Sequence, residues 1–161
     1  MNDSTQAYNQ TESSSFTPRN PYDYFIYDYP YLYCMELKST QIKYLTFWRE
    51  DFEAEMGKDV KFAIRKNQIE GLARAAKYEG VYAGFVINFR SIERTYYLSI
   101  ENFLAYVESL PKKSINEKDI VLAGGLLVPQ EKIRTRYRYG VRYLMKQLTT
   151  ITPLRDELKK S

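Results

Sequence analysis

The sequence predicts a single mixed α/β domain in which a central mixed sheet is flanked by helices on both faces. Runs rich in aromatic and branched aliphatic residues are typical of strands, and they occupy residues 24–27, 31–38, 81–89 and 95–100. Between them, the apolar residues of segment 61–79 recur with the period of a helix. The length of 161 residues is that of one domain. Strands and helices that alternate in this way favour the α/β class.

The first two strands are expected to form a β-hairpin. They flank the triplet Asp28-Tyr29-Pro30, whose proline is typical of a turn. Side chains alternate between the two faces of a strand, so Glu36 and Lys38 are expected to share a face with Cys34.

Local patterns define the remaining segments. Residues 1–20 are polar without an apolar period, which indicates a flexible lead-in. Residues 39–58 are interpreted as a loop that can carry a short helix, and the 61–79 helix is expected to stop at Gly80. Further along, we expect a helix at 101–110, a helical turn at 116–120, a strand or loop at 123–128 and a helix at 141–148. The folded domain is therefore assigned to residues 21–150, followed by a tail at 151–161.

Composition excludes several kinds of chemistry. The chain has no histidine, so Ser-His and Cys-His nucleophiles and histidine-bound zinc are ruled out. Cys34 is the single cysteine and cannot form an internal disulfide, and no segment has the length of a membrane span. We therefore expect a soluble, cytoplasmic protein. The formal charge of +4 has the sign that suits a polyanionic partner.

Glu36-Leu37-Lys38 is the most informative tripeptide in the chain. A strand that buries Cys34 and then presents a carboxylate and an ammonium on the same face needs partners for those charges. Asp23 lies thirteen residues upstream on the other arm of the predicted hairpin and can approach Glu36 across the pair. Two carboxylates and the backbone carbonyl of Leu37 are ligands that suit Mg²⁺, or Mn²⁺ in its place. The alternative is an ordinary solvated strand face.

An ordered set of motifs resembles the RecU-type Holliday junction resolvases and their phage relatives. The set comprises Pro21-Tyr22-Asp23, the hairpin, residues 35–40 (Met-Glu-Leu-Lys-Ser-Thr), residues 66–70 (Lys-Asn-Gln-Ile-Glu), residues 80–87, Tyr96-Tyr97-Leu98 and residues 112–115. The match runs from about residue 20 to about residue 148. The resemblance implies a restriction-endonuclease-like core.

The resemblance also implies roles for individual residues. Asp23 and Glu36 would ligate the metal, Lys38 would be catalytic, and Gln68 would support the site from the helix, although a solvated helix position is the alternative for Gln68. Members of the family act as homodimers that bind four-way DNA junctions and nick two opposed strands.

Two departures from the family concern the N-terminus. The family carries a further glutamate on an N-terminal helix, and among residues 1–20 only Asp3 and Glu12 are acidic. The basic segment that enters the junction in the family has no counterpart there, because Arg19 is the only cation in this stretch. We therefore expect either a truncated chain or a site with fewer acids.

Basic residues form two groups that are candidates for DNA contacts. Phosphates are neutralised by Lys and Arg, and the candidates are Arg65, Lys66, Arg74, Arg134, Arg136 and Arg138. Ordinary solvated charge is the alternative for about half of them. The expected function is Mg²⁺-dependent endonucleolytic cleavage of branched DNA in recombination or DNA processing. The alternatives are cleavage of duplex or flap DNA by the same fold, and a non-catalytic DNA-binding or assembly protein derived from it.

Overall fold

The computed structural model of the chain describes residues 22–57 and 59–151, and it confirms the predicted fold class. A five-stranded mixed sheet lies between helices on its two faces. The predicted lead-in and residues 152–161 of the predicted tail lie outside the described residues, as do Asp3, Glu12 and Arg19. Within the described part, no helix is long and apolar enough to cross a membrane.

Fifteen elements follow one another along the described chain. They are β1 (Tyr24–Asp28), β2 (Tyr31–Thr40), β3 (Tyr44–Thr46), α1 (Glu50–Met56), α2 (Lys66–Ala75), β4 (Val81–Phe89), a 3₁₀ turn (Arg90–Ile92), β5 (Arg94–Ser99), α3 (Ile100–Glu108), β6 (Ser114–Asn116), α4 (Glu117–Leu122), β7 (Leu126–Val128), β8 (Gln130–Ile133), β9 (Arg136–Tyr139) and α5 (Val141–Ile151).

The central sheet has the order β1-β2-β4-β5-β7. The predicted hairpin is present, with β1 antiparallel to β2 and Tyr24 opposite Met35. β2 and β4 are parallel neighbours, and the chain that connects them carries β3, α1 and α2. β1 is an edge strand that is shorter than β2. Its first residue, Tyr24, pairs with Met35, and β2 continues beyond this pair to Thr40. The second half of β2 is therefore not covered by a β1 backbone.

The first face of the sheet packs against α2 and α3. Cys34, Phe85 and Ile87 alternate toward this side, where they meet Leu72 of α2 and Phe103 of α3 in one buried cluster. The ring of Phe85 contacts that of Phe103 edge to face, with centroids 5.1 Å apart. This cluster fixes α2 against β2, which matters because α2 carries Gln68.

The second face of the sheet packs against α5. Tyr33 and Met35 of β2 point to this side and form a buried cluster with Tyr97 of β5 and with Leu144 and Leu148 of α5. The two faces of β2 therefore bury separate cores, as the alternation of its side chains requires.

The helix predicted at residues 61–79 is wrong at both ends, because α2 spans only Lys66–Ala75. The backbone before it is extended: Ile64 forms a parallel bridge with Phe47, and its amide donates to the carbonyl of Thr46 at 2.9 Å. Ile64 is buried by this strand-like contact and not by a helix face, so its place in the apolar period of the sequence did not indicate a helix.

The short helix that segment 39–58 was expected to carry is present as α1, and the segment also contains β3, which was not predicted. The helical turn expected at 116–120 is α4, which Asn116 caps by accepting a hydrogen bond from the Asp119 amide at 2.9 Å. The ambiguous 123–128 segment forms β7, and the last helix, expected at 141–148, continues to Ile151, the first residue assigned to the tail.

Gly84 of β4 is required by close packing, and its replacement by Ala is expected to destabilise the fold by about 2 kcal/mol. A Cβ at this position would lie 2.5 Å from the carbonyl oxygen of Leu98 and 2.7 Å from the ring of Tyr97. Urea unfolding of Gly84→Ala measures the loss. A variant as stable as the unmodified chain would contradict the packing described for this face.

Candidate active site

Glu36 continues the buried face of β2 that begins with Cys34. Glu36 is only 4% exposed, although acidic residues are rarely buried to this extent unless they are paired. Lys38 lies on the same face, as predicted, and its Nζ is 3.4 Å from Glu36 Oε1. The strand period therefore brings the acid and the ammonium together in a partly enclosed position.

Asp23 lies immediately before β1 and contacts β2 beyond the end of the hairpin pairing. Its Oδ2 accepts a hydrogen bond from the backbone amide of Leu37 at 3.0 Å. In an extended strand the N–H and C=O of one residue face the same neighbour, so the Leu37 carbonyl also faces this edge. The carboxylate of Asp23 thus occupies the position where a further β1 residue would otherwise pair.

Gln68 in the first turn of α2 connects the helix to Glu36. Its Oε1 accepts a hydrogen bond from the Arg65 amide at 3.0 Å, while its Nε2 donates to Glu36 Oε1 at 2.5 Å. The helix start therefore fixes which end of the Gln68 amide faces Glu36. The sequence-predicted residues Asp23, Glu36, Lys38 and Gln68 meet at one place, and their catalytic roles stay predictions.

The carboxylate of Glu36 lies in an environment that disfavours its charge. Burial raises the pKa of Glu36, the nearby ammonium of Lys38 opposes this rise, and the carboxylate of Asp23 adds to it. The net direction is upward. One ammonium does not compensate for burial next to a second acid, so a further cation would stabilise the group.

Asp119 offers a contrast, because it is equally buried and fully paired. It accepts hydrogen bonds from Tyr106 Oη at 2.7 Å, Lys112 Nζ at 2.8 Å and the Asn116 amide at 2.9 Å. Burial disfavours its charge, but the hydrogen bond from Lys112, followed by those from Asn116 and Tyr106, outweighs burial and lowers the pKa of Asp119. Asp119 is therefore a structural acid that caps α4, whereas the contacts of Glu36 leave its pKa raised.

The donors at the site fit Mg²⁺. In the described part of the chain, no three Asp, Glu, Cys or His side chains lie close enough to enclose a metal. The available oxygens are the carboxylates of Asp23 and Glu36 and the carbonyl of Leu37. Mg²⁺ characteristically binds one or two carboxylates and keeps several waters, which substrate phosphates can replace. Two acids are therefore a sufficient protein contribution.

The predicted DNA-contacting residues of α2 are exposed, and two of them adjoin the site. Arg65 and Lys66 begin the helix, one turn or less from Gln68, and Lys66 Nζ also lies 4.9 Å from the centre of the Trp48 ring. Arg74 lies in the last turn of the helix, roughly 14 Å along the axis from Arg65.

The other predicted group of cations lies on a two-stranded ribbon that the sequence analysis did not identify. We call β8 and β9 with their connecting residues, 130–139, the basic ribbon. Its strands pair with Lys132 opposite Tyr137 and Ile133 opposite Arg136. Alternating basic and apolar residues were a possible signal for strands, but the pattern alone gave no pairing partner. The ribbon carries Arg134 at its turn and Arg136 and Arg138 on β9.

One face of the basic ribbon is attached to the domain. Tyr137 Oη donates to the carboxylate of Glu93, Lys132 Nζ lies 3.6 Å from the same group, and Gln130 Oε1 accepts from Thr95 Oγ1 at 2.6 Å. Arg136 and Arg138 alternate to the opposite face and are exposed. Within residues 22–57 and 59–151, neither arginine has a carboxylate at ion-pair distance. They remain available to an external anion.

Sequence reasoning also missed a polar chain beneath the ribbon. Asn88 Nδ2 donates to Thr95 Oγ1 at 2.8 Å, and the Thr95 hydroxyl donates to Gln130. Asn88 and Thr95 pair across β4 and β5, and Asn88 also pairs with Ser39, the residue after Lys38. Polar residues inside two otherwise apolar strands were the signal that could have indicated this network.

The contrast between the two buried acids predicts opposite effects of their amides on stability. Glu36→Gln is expected to raise the midpoint of urea unfolding at pH 7, and Asp119→Asn to lower stability by about 2 kcal/mol. The raised pKa of Glu36 means that its contribution is favourable below its unfolded-state value and is lost as pH rises through the folded value. The lowered pKa of Asp119 means that its contribution is present at neutral pH and is lost on acidification. Equal destabilisation by both amides would contradict the distinction.

Comparison with known proteins shows a similarity to a prophage-derived protein. The chain is 28% identical over 151 residues to the SPbeta prophage-derived uncharacterized protein YotM of Bacillus subtilis (strain 168). The similarity covers 86% of this chain and 71% of that protein. No family model matches the chain. The chain is thus similar, over most of its length, to a prophage-derived protein.

Proposed function

We propose that the chain is a Mg²⁺-dependent endonuclease that hydrolyses phosphodiester bonds in branched DNA. The observation that carries this proposal is the buried carboxylate of Glu36. It contacts Lys38 and Gln68, lies beside Asp23, and has a raised pKa because the protein does not fully compensate its burial. Acids whose pKa is shifted by burial and a specific charged partner cluster at functional sites.

The residues that would hold the ion are Asp23 and Glu36 through their carboxylates and Leu37 through its carbonyl. When bound, Mg²⁺ would stabilise charge on the phosphate and lower the pKa of a bound water. Its positive charge would also relieve the electrostatic cost of the two neighbouring acids.

Lys38 and Gln68 have different roles in this proposal. The ammonium of Lys38 lies beside the carboxylates and would stabilise negative charge that develops on the phosphate, or orient the attacking water. Gln68 is a positioning residue, since it acts through Glu36. Its amide is anchored to the start of α2 and holds Glu36 Oε1 by a hydrogen bond.

Cations on two sides of the site suit a DNA substrate. Arg65 and Lys66 adjoin Gln68, and the basic ribbon presents Arg136 and Arg138, neither of which has a carboxylate at ion-pair distance among the residues that the structure describes. Phosphate contacts of this kind position DNA without reading its sequence. The similar protein is prophage-derived, which is consistent with a role in phage DNA recombination or processing. A homodimer on a four-way junction would allow two symmetric nicks.

Lys38→Ala is expected to abolish detectable cleavage, a loss of ~100-fold or more, because it removes the cation beside the reacting phosphate. Cleavage of a labelled four-way junction and of a linear duplex of the same sequence is followed in Mg²⁺. DNA affinity, measured by fluorescence anisotropy, should change little. The control is Lys118→Ala, an exposed lysine of α4 away from the site.

Two outcomes would contradict the proposal. A Lys38→Ala chain that cuts at the normal rate would remove Lys38 from the chemistry. The alternative of a non-catalytic DNA-binding protein would be favoured if the unmodified chain bound DNA but did not cut it and gained no stability from Mg²⁺ or Mn²⁺.

Gln68→Glu is expected to slow cleavage by about 10- to 100-fold at neutral pH. It adds a third carboxylate to the site beside those of Asp23 and Glu36, so the pKa of Glu36 rises further and the acidic limb of the pH–rate profile moves to higher pH. Gln68→Ala removes the hydrogen bond without adding charge and should slow the reaction with a smaller shift of the profile. Identical profiles for the two variants would exclude the positioning role.

Arg136→Ala combined with Arg138→Ala is expected to weaken DNA binding and reduce its dependence on salt. Each lost phosphate contact lowers the slope of log affinity against log salt concentration by about 0.9 for duplex DNA. Affinity is measured between low and moderate salt for the double variant, with Lys118→Ala as control. An unchanged slope would mean that the basic ribbon does not contact phosphates.

A further inference from the structure

A cavity of about 450 Å³ opens on the second face of the sheet, next to the candidate active site. Tyr24, Leu37 and Tyr139 form its rim and are 57%, 46% and 41% exposed, respectively. Thr95 and Leu144 at its floor are each 1% exposed. The cavity is therefore a pocket with depth, and its volume lies within the range that binds small flat groups.

The lining of this pocket suits a neutral, flat and partly polar group. Lys38 is the single Lys, Arg, Asp or Glu residue among those described that borders it, and its ammonium lies beside Glu36 on the other face of β2. No described charged group inside the pocket therefore neutralises a phosphate. The walls are apolar and the rim has two tyrosines, on which a base can stack. The floor carries the amide of Asn88, which is half-buried; its Nδ2 donates to the buried hydroxyl of Thr95, and its oxygen can accept from the polar edge of a base.

The pocket and the site share the backbone of β2. The side chain of Leu37 lines the pocket on one face of the sheet, while its backbone amide donates to Asp23 at the edge of β2. Lys38 follows at once and contacts Glu36. A phosphate held by the acids and Lys38 would therefore have the base of an adjoining nucleotide close to the mouth of the pocket. The basic ribbon contributes Tyr139 to the rim, while Arg136 and Arg138 lie on the opposite face of the ribbon.

We infer that this pocket binds the unstacked base of an unpaired nucleotide next to the phosphate that is cut. The inference rests on the proposed function and specifies its substrate: DNA with an unpaired nucleotide at a branch or flap. A base within a continuous duplex has to be unpaired and unstacked before it can enter, whereas a base at a branch is already free. Selectivity for branched DNA would then come from the pocket and not from a segment that enters the junction.

The experiment places a fluorescent base at the nucleotide that the pocket is expected to bind. Splayed-arm DNA carries 2-aminopurine as the first unpaired nucleotide, and the protein is the Glu36→Gln chain, so that the DNA stays intact while the pocket is unaltered. Stacking on the tyrosines should quench emission at least twofold on binding. Val86→Phe, which fills the pocket from β4, and Tyr139→Ala, which removes one wall, should each abolish most of the quenching. Tyr143→Ala, an exposed tyrosine of α5 outside the pocket, should not.

A second arm does not depend on any pocket variant. DNA with an abasic site in place of the 2-aminopurine should bind about fivefold more weakly or worse, because it lacks the stacking contribution of one base. Undiminished quenching in Val86→Phe, equal affinity for the abasic DNA, or no change of emission at saturation would each overturn the inference. These readouts require no cleavage, so a failure of the pocket and a failure of the Lys38-dependent hydrolysis are distinguishable.

Discussion

The burial of the Glu36 carboxylate beside a second acid is the constraint on which the candidate site depends. Most buried acids in folded proteins have enough hydrogen-bond and ion-pair partners to stabilise the charged form. Asp119 of this chain follows that rule with three hydrogen bonds and a lowered pKa. Glu36 does not follow it, because Lys38 and Gln68 leave its pKa raised. A fold that retains such a group sacrifices some stability, and functional sites are where this sacrifice is expected.

The sheet topology creates the exposed edge that makes the acid useful. The pairing between β1 and β2 extends only to Tyr24 and Met35, yet β2 continues to Thr40. The backbone of Leu37 therefore faces the carboxylate of Asp23. On the other side, β2 lies parallel to β4, and the intervening chain returns through α2 with Gln68 in its first turn. The short edge strand β1 and the start of α2 beside Glu36 thus bring together groups from three parts of the sequence.

The sequence predicted those features that a strand period controls. Alternation along β2 placed Glu36 and Lys38 on one face, and the hairpin brought Asp23 close to them. It did not predict where α2 begins, because Ile64 is buried by a bridge to Phe47 that depends on the loop before α1. It also missed the basic ribbon and the Asn88–Thr95–Gln130 chain. Both depend on pairing between distant segments, whereas local patterns specify only which face of an element is apolar.

The most direct test of the account is the titration of Glu36 itself. The carbon-13 signal of its side-chain carboxyl is followed by NMR as pH changes, first without metal and then with saturating Mg²⁺. We predict a midpoint above the ordinary value for a glutamate in the absence of metal, and a marked fall of that midpoint when Mg²⁺ is added, since a cation between the acids favours the charged form. The same midpoint with and without Mg²⁺ would contradict the proposal that Glu36 binds a divalent cation.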